Sequence, residues 1–369
     1  MKKDNKKIIK KGLVLVISII LILLILNSFY IHLIEKNKII FRKELEWQNY
    51  RLELQDNKLD YAFFGDSHAR QDLNPEFINN SFNFGTSGED YTETYYRILN
   101  LLKNDNIEIN SFVLEIDSHS FSDKIRTNQR LFRNLHYYSD FVKLSKISEF
   151  RDESFLSVWI KSKFIVIGKG EEMISYLSST ESTQIKKGWT NSTRDFSKEK
   201  NKRKSAEARV NLLFSEEKKL LENRSLSHFL KIINLAEENN ISIFLIMYPL
   251  SYEYNLELEK NNFSRKNHYE KLFYEIDKTG AKYKVLDYYN LFVNNPEYFD
   301  DSDHLNYNGA EILSKKVAEN LKNENEFLEK KSKNPELLLV FQTFTHRNFC
   351  FAKAFADYPS FLTADLNKD

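Results

Sequence analysis

The chain is 369 residues long and close to charge balance, with 54 Lys and Arg against 53 Asp and Glu. A net charge of +1 gives no general field for nucleic acid or acidic partners, and 41% hydrophobic with 29% charged residues is a globular balance rather than a disordered one. A single cysteine, Cys350, excludes an internal disulfide and a cysteine-based zinc site.

Residues 1–11 carry six lysines against Asp4, and an almost unbroken apolar run from Leu13 to Leu26 follows. With Phe29, Tyr30 and His32 as interfacial residues, the segment 12–34 reaches the length of about 20 residues that a membrane-spanning helix needs. Asn27-Ser28-Phe29 is a poor small-x-small cleavage site, so an uncleaved signal-anchor is favoured over a cleaved signal peptide. The lysine cluster places residues 1–11 in the cytoplasm and the remainder outside the cell membrane. Residues 35–58 are polar and helix-compatible and read as a stalk.

Five short apolar segments read as strands: Tyr61 to Phe64, Ser81 to Phe84, Ser111 to Ile116, Ile241 to Tyr248 and Tyr283 to Leu286. Helical periodicity separates them over 89–103, 226–239 and 263–279, and a closing helix spans 308–321. Alternation of this kind implies a mainly parallel, doubly wound α/β sheet. It lapses over 121–223, which reads as an insertion or cap over the active-site end of the sheet. Within it, 131–167 is aromatic and apolar, and the basic run 186–209 reads as a solvated loop. Beyond residue 323 a charged stretch gives way to an apolar, aromatic tail without period, which either docks on the domain or reflects an altered reading frame.

Three segments carry chemistry. The first strand runs straight into Gly65-Asp66-Ser67-His68, a sharp turn of the kind that lifts a serine hydroxyl to the carboxyl end of a strand. His68 reads as an exposed turn histidine at the edge of any pocket there. Asn83-Phe84-Gly85-Thr86-Ser87-Gly88 ends the second strand in a glycine turn able to offer backbone N–H groups to a developing oxyanion. Late in the chain, Asp301 and His304 stand three apart in a polar turn before a helix. A serine needs a base to take its proton, and that base needs a carboxylate to hold its tautomer. Asp300 and Asp303 crowd the same histidine, so the choice of Asp301 rests on its spacing rather than on its being the one aspartate there.

In this order the segments resemble the SGNH (GDSL-type) hydrolase superfamily, over about residues 61–321 with the insertion unmatched. Gly65-Asp66-Ser67 is similar to its first block, Asn83-x-Gly85-x-x-Gly88 to its second, and Asp301-x-x-His304 to its last. The resemblance implies a flavodoxin-like three-layer sandwich with a five-stranded sheet over 59–323, Ser67 as nucleophile, His304 as base and Asp301 as its orienter. It also implies an oxyanion hole from the N–H groups of Ser67 and Gly85. The asparagine expected after the third strand is absent. Its position falls on Ser118 or His119, of which His119 is the expected donor.

A single amino-terminal anchor on such a domain resembles a subgroup associated with acyl transfer to cell-envelope polysaccharides. That resemblance implies an esterase or O-acyltransferase acting on an acylated glycan or envelope polymer, beside a multi-spanning membrane O-acyltransferase. The alternative is a catalytically weak or inactive partner of that acyltransferase. No cofactor is expected, and the histidines lack ligand-type spacing for a metal.

Overall fold

The computed structural model describes residues 2–37, 57–103, 107–122, 131–132, 135–164, 166–167, 185–214 and 224–333. Most of the 35–58 stretch, residues 334–369 of the tail and parts of the insertion lie outside them. The chain divides into two units, Met1–Lys315 and Lys316–Asp369. The described part of the second is the continuation of the last helix to Lys333.

Helix α1 spans Lys2–Asn37, and its apolar portion Ile9–His32 is long and apolar enough to cross a membrane. At 1.5 Å per residue those 24 residues reach about 36 Å, more than the roughly 30 Å of a hydrocarbon core. The domain that follows is built on five strands: β1 (Lys58–Phe64), β2 (Ser81–Asn83), β3 (Glu108–Glu115), β6 (Ser242–Met247) and β7 (Tyr283–Asp287). Every pairing among them is parallel, in the order β2-β1-β3-β6-β7. The five expected strands are therefore all present, with ends shifted by one to three residues, and the sheet is wholly rather than mainly parallel. The central strands β1, β3 and β6 are buried along most of their length, which explains their continuous apolar runs. A sheet in this order reverses direction beside β1, and the carboxyl ends of its strands diverge there into a crevice.

Helices α3 (Tyr91–Lys103), α8 (Arg224–Glu238) and α10 (Arg265–Asp277) flank the sheet. Their Ile98 and Leu101, Phe229 and Ile233, and Leu272 and Ile276 enter one core with Leu59, Phe112, Leu114 and Leu245 of the strands. Helix α2 (Ser67–Asp72) starts directly after β1, and α11 (Tyr307–Lys333) directly after the Asp301–His304 turn. A further helix, α9 (Tyr252–Lys260), was not expected from the sequence. Its charged surface leaves only Tyr254, Glu257 and Leu258 buried, too narrow a stripe to read as a helical face.

The insertion is built of short pieces. Helices α4 (Leu135–Tyr138), α5 (Leu144–Arg151) and α6 (Phe155–Lys163) enclose a small second core of Leu131, Phe132, Leu135, Tyr138, Ile147 and Val158. A two-residue hairpin, β4 (Ile185–Lys186) with β5 (Trp189–Thr190), follows. The Asn83 N–H at the end of β2 donates to Lys187 O in its turn at 3.0 Å. The basic run is corrected by the structure: its second half is not a loop but helix α7 (Lys202–Leu213), seated by Ala206, Val210 and Leu213.

Candidate active site

Ser67 is half-buried, whereas Tyr61 to Asp66 before it and His68 to Arg70 after it are all buried. Gly65 makes the turn possible, because a side chain there would collide with the Glu115 carboxylate and lie 2.9 Å from Ala69 Cβ. Asp66 caps α2, its Oδ1 accepting the His68 N–H at 3.1 Å. Ser67 Oγ then stands 2.8 Å from His304 Nε2. His304 Nδ1 is 3.0 Å from each oxygen of Asp301.

Several bonds bring residues 67 and 304 together across the sequence. Leu305 N–H donates to Asp72 Oδ1 at 2.8 Å, and Gln71 Nε2 donates to Leu305 O at 3.0 Å, so the last turn of α2 is tied to the His304 turn. Asn74 N–H donates to Ser314 Oγ at 2.8 Å in the first turns of α11. Asp301 also builds its own turn, its Oδ1 accepting the N–H groups of Asp303 (3.1 Å) and His304 (2.9 Å).

The three neighbouring aspartates have separate partners. Asp300 is held by Arg194, whose Nε is 2.8 Å and Nη2 2.5 Å away, and by Ser192 Oγ. Asp303, fully buried, takes Arg209 Nε at 2.7 and 3.0 Å from α7 and sits 3.7 Å from His304 Nδ1. Asp301 is left facing the histidine.

Behind the serine lies a buried ionic layer that the sequence did not disclose. His68 is not an exposed turn residue but fully buried, with Nδ1 2.7 Å from Asp117 Oδ2 and Nε2 3.4 Å from Asp303 Oδ2. Burial opposes its charge, but the bonds to Asp117 and Asp303 prevail and hold its pKa well above the ordinary histidine value. Burial likewise opposes ionisation of Asp303, and Arg209 with the two histidines overrides it, holding that carboxyl well below its usual range. Glu115 and Asp72 go the other way, pushed well up chiefly by burial. The result is an imidazolium at His68 between two carboxylates, with its ring edge-on to those of His304 (4.8 Å) and His119 (4.5 Å).

The expected oxyanion donors are placed unequally. Ser67 N–H, at the start of α2, has no hydrogen-bond partner among the described residues. Gly85 N–H, by contrast, donates to Asn83 Oδ1 at 2.8 Å. Asn83 is itself fixed, its Nδ2 donating to Ala69 O of α2 (2.5 Å) and to O of Leu73, which caps the helix (2.7 Å). His119 Nε2 lies 2.9 Å from Asp66 Oδ2 and 3.5 Å from Glu115 Oε1, and burial lowers its pKa. The second-block glycine and His119 are thus committed to side chains of the protein.

Spacing along the chain proves a poor guide to metal ligation. Asp66, His68, Glu115 and His119, and separately His68, Asp303 and His304, bring their donor atoms within 4.8 Å of one another. Within the first group Ser120 Oγ donates to Glu115 Oε1 at 2.5 Å and Asp66 N–H to Glu115 Oε2 at 2.9 Å.

No protein-family model and no curated protein matches the chain. Among solved structures, the chain is similar to a GDSL-like lipase from Bacteroides thetaiotaomicron VPI-5482, at 11% identity and a TM-score of 0.35 over 75% of this chain and 98% of that one. It is also similar to a protein described as an acylhydrolase from Bacteroides fragilis NCTC 9343, at 11% identity and a TM-score of 0.36 over 76% and 95% of the two chains. A protein described as a platelet activating factor from Streptococcus pneumoniae aligns at 13% identity and a TM-score of 0.36, covering 80% of this chain and 99% of its own.

Proposed function

We propose that this chain is a serine esterase or O-acyltransferase of the SGNH type, held by α1 to the outer face of the cell membrane, with an O-acylated surface glycan as substrate. The observation that carries the reading is the unbroken line from Ser67 Oγ through His304 to Asp301, at 2.8 and 3.0 Å. A hydroxyl, an imidazole and a carboxylate so joined form an activated nucleophile.

In this mechanism Ser67 Oγ attacks the acyl carbon while its proton passes to His304 Nε2, and Asp301 stabilises the resulting imidazolium. The departing alcohol takes that proton as the tetrahedral intermediate collapses to an acyl-serine. Water or a sugar hydroxyl then attacks the acyl-serine, giving its proton to Nε2, and Ser67 leaves reprotonated. The negative oxygen of each intermediate is met by the Ser67 N–H, while the Gly85 N–H serves only if Asn83 Oδ1 yields it.

Those committed donors favour a second reading, a weakly active or inactive partner of a multi-spanning membrane O-acyltransferase. The two separate on incubating the full chain with acetylated glycans and measuring released acetate and acetate passed to an added glycan. Turnover lost in Ser67→Ala supports the first. Absence of both products, with the protein still binding its acyltransferase, supports the second.

A further inference from the structure

We infer that helix α6 is a membrane-contacting element, lying in the lipid headgroup region beside the outer end of α1. The inference rests on α1 spanning a membrane and is independent of the serine chemistry.

Val158 and Ser162 turn α6 inward, Val158 onto the core of the insertion. The exposed face, at i, i+1, i+4 and i+8, is Phe155, Leu156, Trp159 and Lys163. Phe155 is 54% exposed, Leu156 63% and Trp159 42%. A water-facing helix carries polar residues there, so this face is reversed. Aromatic and aliphatic side chains with lysines in the last turn, Lys161 and Lys163, make up the composition of a helix that sits in an interface and meets anionic headgroups with its cations.

Its position fits that occupant. Val166 N–H, three residues past the end of α6, donates to Asn27 Oδ1 of α1 at 3.4 Å. The covered face of α1 is a helical stripe, with Leu23, Asn27 and Ile31 part-buried and Tyr30 buried, while the rest of the span is mostly open. Asn27 precedes His32, the end of the apolar span, by five residues, about 8 Å along the axis. Three residues of chain reach at most about 11 Å, so the end of α6 is held at the depth of the last turns of the span. Interfacial helices bury their apolar face by about 5–10 Å, which matches. Tyr252 and Tyr274 are exposed as well, and among the described residues no hydrogen bond joins either to α1.

The test uses the full chain with Cys350→Ser, carrying a nitroxide on Leu156→Cys, Leu15→Cys or Tyr274→Cys, in vesicles of phosphatidylethanolamine and phosphatidylglycerol. Leu156 and Tyr274 are equally exposed at 63%, so Tyr274 is the matched control. Collision with oxygen is compared with collision with a neutral, water-soluble nickel complex. The expected result is oxygen favoured several-fold at 156 and at 15, and nickel favoured at 274. Leu156 behaving as Tyr274 does overturns the proposal, since the face is then in water. Leu156 shielded from both reagents also overturns it, since a second copy or another protein then covers the face. Leu15 open to nickel removes the anchor and the proposal with it.

Discussion

His268 offers a sharp test of the packing behind the sheet. It sits on α10, 4% exposed, with both ring nitrogens buried and without a hydrogen-bond partner among the described residues. Its ring packs at 5.0 Å from Tyr269, 5.6 Å from Phe263 and 6.2 Å from Phe121. Burial, helped by the charge of Lys271, lowers its pKa from 6.5 to about 3. The folded chain thus refuses a proton that the unfolded chain accepts below pH 6.5. Stability from this residue is whole above that pH and is lost progressively as the pH falls towards 3. At pH 5 the gap of about 1.5 units is worth about 2 kcal/mol. His268→Phe keeps an aromatic ring in an aromatic site and removes the titration. The expected outcome is a variant at least as stable as the parent at pH 8, whose advantage grows by about 2 kcal/mol at pH 5. Urea titration of the detergent-solubilised full chain at the two pH values, followed by tryptophan fluorescence, measures it. An advantage that does not change with pH would refute the account of a neutral, unpartnered imidazole.

Other consequences follow from the site and its supports. Asp301→Asn keeps an acceptor for the turn N–H groups but cannot hold the imidazolium, so kcat on an acetyl ester should fall by about 10³–10⁴-fold with little change in thermal stability. Arg209→Met leaves Asp303 buried without its cation and should cost about 3 kcal/mol of stability, read as a lower urea midpoint. Gly188 has φ +81° in the hairpin turn, and a Cβ there would run into Asn83 O. Gly188→Ala should therefore destabilise by about 2 kcal/mol and, because Asn83 anchors α2, lower activity as well, both measurable on the purified chain.

Much of the framework was legible because its cause is local. A parallel strand buried on both faces must be a continuous apolar run, and Ile-Phe-Leu-Ile-Met of β6 is one. Ser67 could be singled out from its turn, and the polar turn before the last helix as the source of a histidine base with an aspartate beside it. Helix α7 looks like a solvated loop in the sequence because its four basic residues outnumber its three buried apolar ones, yet its Arg209 claims Asp303. The choice among Asp300, Asp301 and Asp303 depends on Arg194 and Arg209, both about a hundred residues away. His68, Asp117 and Glu115 belong to the site through pairings across β1 and β3, which no local pattern announces. The commitment of Gly85 and His119 is of the same kind, since a motif fixes the residue but not the bond it makes.

The central claim is that His304 activates Ser67 for attack on an acyl group. Intact-mass analysis of the full chain after treatment with a fluorophosphonate tests it most directly, run beside Ser67→Ala and His304→Ala. The account predicts one adduct, on Ser67, in the parent and none in either variant. A folded parent that takes no adduct, or an adduct that survives in Ser67→Ala, would contradict it.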